Sequence, residues 1–148
     1  MTAKLFRDAG AGLAFFGAVA FAWPALALDP APQSVVVTPL ASTNVTAAGQ
    51  PIVLPAKDAR VIVSNFEIAP GATLPVHKHP YQRYAYVLAG ALRVTNAETG
   101  ESTDYKPGDF IVEMVGRWHQ GANIGTDTVR LLVIDQVEGD LPNTLLKQ

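Results

Sequence analysis

Apolar and polar residues alternate in a series of short stretches along residues 60–137, the period-two pattern of half-buried β-strands. Turn signals such as Pro107-Gly108-Asp109 separate the stretches about every eight to twelve residues. The predicted strands are residues 60–68, 84–88, 92–97, 102–105, 110–115, 119–123 and 129–137. Beyond the first 28 residues no stretch has a helical period, so the pattern predicts an all-β sandwich or barrel.

Residues 28–58 have a different character, rich in proline, threonine and small residues. Five prolines in this segment preclude a long helix. We expect an N-terminal arm in which residues 35–37 and 51–54 form short edge strands or lie across the sheet. The predicted organisation is therefore a leader over residues 1–27, an arm over 28–58 and a barrel over 59–148.

The first 27 residues have the organisation of a secretory signal peptide. Lys4 and Arg7 precede a long apolar stretch that ends in the small-x-small sequence Ala25-Leu26-Ala27. We expect cleavage after Ala27, export to the periplasm and no stable membrane anchor after cleavage. The alternative is an uncleaved anchor, which is disfavoured because three glycines and a proline in the stretch weaken a spanning helix.

Charge and cysteine content exclude some classes of function. Without the leader, nine basic and twelve acidic residues remain, a net charge of about −3. A mildly acidic chain lacks the basic footprint of a nucleic-acid-binding protein, so we expect no nucleic-acid partner. The chain has no cysteine, so an exported form would depend on its hydrophobic core and any bound metal rather than on disulfides.

The candidate chemistry lies in three histidines, which are all the histidines of the chain. His77 and His79 are two residues apart, so in a strand both rings would project from the same face. His119 follows forty residues after His79 in another predicted strand. Three imidazoles converging from two strands could hold a divalent transition metal and leave coordination positions for a small molecule.

The spacing around these histidines resembles that of a known family. The two motifs are Gly71-x5-His77-x-His79-x3-Arg83-x6-Gly90 and Gly108-x5-Met114-x-Gly116-x2-His119-x3-Asn123. Both resemble motifs of the cupins, each with one change. The resemblance implies an all-β double-stranded β-helix, the jelly-roll barrel of a small single-domain cupin. It also implies one divalent transition metal (Fe, Mn, Ni, Cu or Zn), a small-molecule ligand and, as in many cupins, a homodimer.

The resemblance leaves the fourth metal ligand open. Cupins usually use the two histidines and a glutamate of the first motif together with the histidine of the second. His77, His79 and His119 match the histidines, but an arginine stands at the glutamate position. Glu113, a charged residue in an apolar stretch, could replace that carboxylate or form a structural salt bridge. Gln82 is a neutral alternative if the strand has a bulge there.

Arg83 changes the charge of the expected site, because three neutral imidazoles leave a divalent ion at +2 and a facing guanidinium repels it. Arg83 could turn out of the barrel, pair with Glu113, or bind an anionic ligand through two parallel hydrogen bonds. Tyr81 and Trp118 could line the pocket mouth, although aromatic residues in strands often only pack.

These residues predict an exported metal-binding cupin that acts on or binds a small anionic organic molecule. If it is an enzyme, a metal-dependent dioxygenase-type cupin is the first choice, because three histidines leave positions on an octahedral ion for O₂ and a substrate. The alternatives are a non-catalytic cupin that binds a metal or senses a ligand, and a purely structural barrel. No catalytic residue is assigned, since only Glu113 and Tyr81 could serve as acid or base.

Overall fold

A computed structural model describes residues 36–148 of the 148-residue chain. The predicted leader, its cleavage site and Val35 lie outside the described residues. Within the described part, the regular structure consists of the strands β1 (Ala59–Ile68), β2 (His77–Lys78), β3 (Arg83–Ala89), β4 (Leu92–Asn96), β5 (Ser102–Tyr105), β6 (Phe110–Val112), β7 (His119–Asn123), β8 (Val129–Glu138) and β9 (Leu145–Leu146). Over the same residues, no helix is long and apolar enough to cross a membrane.

The strands form two antiparallel sheets. One has the order β1-β8-β3-β6 and the other the order β5-β4-β7-β2-β9. Neighbours in each sheet are mostly distant in sequence, because the chain crosses repeatedly between the sheets, as it does in a jelly roll. The longest pair, β1 with β8, runs in register from Ala59 opposite Glu138 to Ile68 opposite Val129. The predicted all-β double-stranded β-helix is confirmed.

The core lies between the sheets and follows the alternation of the strands. On β8 the buried positions are Val129, Leu131 and Val133, and the residues between them are more exposed. Burial of each such side chain stabilises the folded state by roughly 1.5–3 kcal/mol relative to leaving the side chain exposed. Asp135 is the next residue in the same buried row and is only 5% exposed. A carboxylate therefore lies on the inner face of an otherwise apolar strand.

The arm differs from the expectation. Residues 36 and 37 form no strand, and between residues 51 and 54 only Pro51 takes part in pairing, through a single bridge with Val45. Residues 36, 37, 53 and 54 are exposed, and none of them is paired in a strand or bridge. The sequence also did not predict β2 and β9, which are only two residues long.

Two motif glycines form the turns that place the site. Gly90, between β3 and β4, has a φ of 80°, and a Cβ there would lie 2.7 Å from the Cα of Val129. Gly116 has a φ of 70°, and its N–H donates to the carbonyl of His79 at 2.8 Å. Both conformations favour glycine. The turn of the second motif is thereby hydrogen-bonded to the first motif.

Candidate metal centre

The three histidines converge on one point inside the barrel. His77 on β2 lies directly opposite His119 on β7, and His79 follows in a bridge to Val115. The ring centroids are 4.5–4.9 Å apart. One ligand nitrogen from each ring lies within 4.8 Å of the other two, and all three residues are buried. The sequence placed these rings together correctly, although β2 ends at Lys78 and His79 is not part of a regular strand.

Main-chain carbonyls orient all three rings. The Nδ1 atom of His77 lies 2.8 Å from the carbonyl oxygen of Pro75, and that of His119 lies 2.9 Å from the carbonyl oxygen of Arg117. The Nδ1 atom of His79 lies 2.5 Å from the carbonyl oxygen of Asn143. Since a carbonyl only accepts, each Nδ1 carries the proton and donates it. Nε2 is then the nitrogen that each ring directs to the common point, and it offers a lone pair to a metal whenever the ring is neutral.

The Nε2 atom of His79 has no hydrogen-bond partner, although it is fully buried. It lies 3.1 Å from Oε2 of Glu113, but the contact does not have hydrogen-bond geometry. An unpaired buried polar atom is unfavourable by about 1–3 kcal/mol and calls for an explanation. A cation bound between the three rings would supply the missing partner. The three histidines therefore fit a divalent metal ion, and imidazole ligands alone do not select which ion.

The Glu113 carboxylate lies beside the same point. Its Oε2 atom is 3.1 Å from Nε2 of His79 and 3.2 Å from Nε2 of His119. Burial by itself raises the pKa of Glu113, but the contacts with His119 and His79 outweigh it and hold the pKa well below its usual range. The group is therefore an anionic carboxylate facing the metal-binding nitrogens.

The charge of Glu113 gives His119 and His77 different pKa values. Burial by itself lowers the pKa of His119, but the hydrogen bonds to Glu113 and to the Arg117 carbonyl outweigh it, and the net pKa is raised. His77 lacks such a close carboxylate, and burial, followed by the neighbouring imidazoles, lowers its pKa to about 4. His77 is therefore a neutral ring at ordinary pH.

The pocket around these groups is small and largely apolar. It has a volume of about 40 Å³, which is room for one or two water molecules. Its polar lining consists of His77, His119, Glu113 and Arg83. The remaining walls are Phe66, Ile68, Leu74, Leu92, Val94, Gly121, Leu131 and Val133.

Arg83 adopts neither of two arrangements considered from the sequence, since it neither turns to solvent nor pairs with Glu113. It is 7% exposed, and its register partner on β8 is Asp135. Nε donates to Oδ1 of Asp135 at 2.7 Å, and Nη2 donates to Oδ2 at 3.0 Å and to Thr144 at 3.2 Å. The two parallel hydrogen bonds expected for an anionic ligand are thus made to Asp135, while the side chain still lines the histidine pocket.

Asn143 connects this ion pair to the histidines. Its Nδ2 donates to Oδ1 of Asp135 at 2.5 Å, and its Oδ1 accepts from the main-chain N–H of Tyr81 at 2.8 Å. Its carbonyl is the one that orients His79. Neither Asp135 nor Asn143 was predicted from the sequence as a residue of the site. A lone acidic residue in the apolar stretch 129–137 was a usable signal for Asp135, whereas the role of Asn143 depends on the return of the C-terminal segment beside β2.

Comparison with known proteins agrees with this architecture. A family model described as a cupin domain matches residues 64–135, which include every residue of both motifs. The chain belongs to the cupin superfamily. A search of curated protein sequences gave no significant match.

Solved structures share the cupin fold at low sequence identity. The polyketide cyclase RemF from Streptomyces resistomycificus is 22% identical over 66% of this chain and 70% of that one, with a TM-score of 0.51. A variant of Bacillus subtilis oxalate decarboxylase is 24% identical, with a TM-score of 0.50, over 58% of this chain and 23% of the decarboxylase. A Klebsiella pneumoniae protein with a double-stranded β-helix domain is 22% identical over 76% of this chain and 96% of that one, with a TM-score of 0.49. At these identities the likeness to the first two, whose TM-scores are 0.51 and 0.50, establishes the fold alone.

Three other residues predicted for the site lie away from the histidine pocket of this cupin. The Nε2 atom of Gln82 donates to the main-chain oxygens of Arg83 and Glu113, both at 3.0 Å, and Gln82 lines a different cavity together with Tyr81. The Trp118 ring contacts the ammonium group of Lys78, 4.6 Å from its centroid. Gln82 comes directly before Arg83, and Trp118 directly before His119. Because consecutive side chains in an extended segment point to opposite faces, Gln82 and Trp118 point away from the histidine pocket that Arg83 and His119 line.

Proposed function

We propose that this cupin binds one divalent transition metal through His77, His79 and His119, with Glu113 as the fourth ligand. The observation that carries the proposal is the buried Nε2 of His79, which has no hydrogen-bond partner at the point where three imidazole nitrogens and a carboxylate converge. In this arrangement Glu113 replaces the carboxylate that the cupin pattern usually has at the position of Arg83. The carboxylate reaches the site from the end of β6 instead of the beginning of β3.

We further propose that the ligand bound beside the metal is a small anion. Three neutral imidazoles and one carboxylate leave a divalent ion with a charge of about +1. The Arg83–Asp135 pair adds no net charge, and the apolar walls screen the remaining charge poorly. A pocket of about 40 Å³ limits the ligand to a very small molecule unless the walls move.

In the enzymatic form of the proposal, the protein is a dioxygenase-type cupin. When bound, the metal would supply Lewis-acid activation of an oxygen ligand and, for a redox-active ion, reactivity with O₂. The chain itself orients the three imidazoles through carbonyls, lowers the charge of the site through Glu113 and excludes water with aliphatic walls. The alternative is a non-catalytic metal-binding cupin. Two observations support it: the small pocket leaves little room for a substrate, and Glu113, which contacts two histidines, is used to bind the metal rather than as an acid or base.

The proposed function is tested by loading the purified protein with Co²⁺ and titrating it with azide as a small anionic probe. We expect one equivalent of metal and a visible spectrum that changes on azide addition. His119→Ala should lower the metal affinity by about 100-fold or more, because two imidazoles and a carboxylate hold the ion less well. A folded protein that takes up no metal contradicts the proposal. Oxygen uptake by the Fe²⁺ form is then measured with formate, acetate or oxalate. Uptake that depends on one of these anions supports the enzyme, and its absence supports the non-catalytic binding protein.

Export to the periplasm is also proposed, and it rests on the composition of residues 1–27 alone. The two early basic residues, the apolar stretch and Ala25-Leu26-Ala27 favour a cleaved leader. Mass analysis of the protein from its native host should give a chain that begins at Leu28 or within a residue or two of it. An intact chain from Met1 in the membrane fraction would instead favour the anchor.

A further inference from the structure

A second cavity lies between the arm and the segment that precedes β3. Its volume is about 590 Å³, compared with about 40 Å³ for the histidine pocket. Most of its lining is apolar and includes Pro51, Val53, Leu54, Pro55, Pro80 and Val115. A cavity of this size, with apolar walls and a few polar groups, has the properties of a small-molecule site. None of the residues of the metal centre lines it.

The walls of this cavity are held in place by hydrogen bonds at both ends of the arm segment. The Gln50 side chain donates to the carbonyl of Val115 at 2.9 Å and accepts from its N–H at 3.1 Å. At the other end, the N–H of Ala56 donates to Oε1 of Glu138 at 3.3 Å. The prolines between these points have little backbone freedom. The cavity is therefore largely formed before any ligand enters, which reduces the entropy lost on binding.

Among the described residues that line the cavity, Glu138 is the one with a charged side chain, a carboxylate. Gln82 also lines the cavity, but its side chain is 1% exposed and its Nε2 donates to two main-chain carbonyls, so it forms part of the wall. The main-chain oxygen of Gln82 accepts from the N–H of Gln136, two residues before Glu138, so Gln82 and Glu138 belong to neighbouring segments. No lysine, arginine or histidine is among the lining residues.

We infer that this cavity binds a small organic amine, whose apolar body packs against the proline-rich wall and whose ammonium group is stabilised by the carboxylate of Glu138. An ammonium ion is a cationic donor, so it complements a cavity whose charged lining group is a carboxylate. Tyr81 lines the cavity and offers an aromatic face to the cation. This ligand has the charge opposite to that of the anion proposed for the metal centre.

The inference is tested with two probes of similar size and opposite charge. Tryptamine and indole-3-propionate are titrated into the full purified protein and followed by calorimetry and by NMR. We expect tryptamine to bind with one-to-one stoichiometry and indole-3-propionate to bind at least about tenfold more weakly, since the carboxylate of Glu138 attracts one and repels the other. Equal binding of the two probes, or binding of neither, overturns the inference.

Two variants locate the probe. Glu138→Gln keeps the acceptor for Ala56 and the size of the side chain, and it should weaken tryptamine binding about fivefold and remove the preference over the acid. Val53→Trp should fill the cavity and abolish binding, whereas Val37→Trp, at a valine of similar exposure that does not line the cavity, should not. Unchanged binding in both Glu138→Gln and Val53→Trp would exclude this site.

The metal centre provides an independent control. His119→Ala should leave tryptamine affinity unchanged, because His119 lines the other pocket. A parallel loss of metal and tryptamine binding would place the probe in the histidine pocket and contradict the inference. A protein that binds metal but not tryptamine would overturn only the amine site. A protein that binds tryptamine but no metal would overturn only the proposed metal function.

Discussion

Replacement of Asp135 by alanine is expected to lower the free energy of unfolding by about 3–5 kcal/mol, because it leaves the guanidinium of Arg83 buried without a counter-charge. Both side chains are only 8% exposed. The variant removes the acceptors of two Arg83 hydrogen bonds and of the Nδ2 of Asn143. Denaturant unfolding of the wild type and the variant under identical metal conditions measures the difference.

The chain offers a matched control on its surface. Arg93 and Asp104 form the same bidentate pair, at 2.6 and 2.7 Å, with about half of each side chain exposed. Asp104→Ala should change stability only slightly, because water and salt already screen that pair. The double variant Arg83→Met/Asp135→Leu should lose much less stability than Asp135→Ala, since it removes both buried charges. An Asp135→Ala protein as stable as Asp104→Ala would contradict the assigned role of the pair.

Replacement of Glu113 by glutamine is expected to weaken metal binding by about 10- to 100-fold or more. The substitution keeps the shape of the side chain but removes its charge, so the charge of a site with a divalent ion rises from about +1 to about +2. Competition with a chelator of known affinity measures the effect. Glu101→Gln, an exposed glutamate in the turn between β4 and β5, is the matched control and should bind metal as the wild type does.

The comparison of these two glutamate variants shows whether the Glu113 carboxylate contributes to metal binding at all. If it does not, the Glu113→Gln protein should retain nearly full metal affinity through His77, His79 and His119. Equal affinities of Glu113→Gln and Glu101→Gln would therefore reduce the site to three histidines.

The strands that carry the core could be predicted from local patterns. Ser102–Tyr105 and His119–Asn123 were predicted with their observed bounds, and Ala59–Ile68 and Val129–Glu138 to within one residue at each end. Turn residues limit these strands, and the two long ones are rich in β-branched and other apolar residues. The two-residue strands β2 and β9 were not predicted, because they exist only through pairing with partners far away in the sequence.

The candidate site could be predicted as far as its residues follow a motif. The spacing of His77, His79 and His119 was sufficient to bring the rings together. The partner of Arg83 was not predictable in this way, since Asp135 is 52 residues further along the chain and meets it only through the register of β3 with β8. From the motif alone, Arg83→Glu would be expected to restore the usual cupin ligand. The ion pair predicts instead that it places a second carboxylate against Asp135 and destabilises the fold.

Anomalous diffraction from crystals of the metal-loaded protein, collected at the absorption edge of that metal, tests most directly whether three histidines and Glu113 bind the metal. We predict one anomalous peak inside the barrel, about 2.0–2.2 Å from the Nε2 atoms of His77, His79 and His119 and from one carboxylate oxygen of Glu113. A loaded crystal with no peak at this point, or with a peak that Glu113 does not contact, would contradict the account.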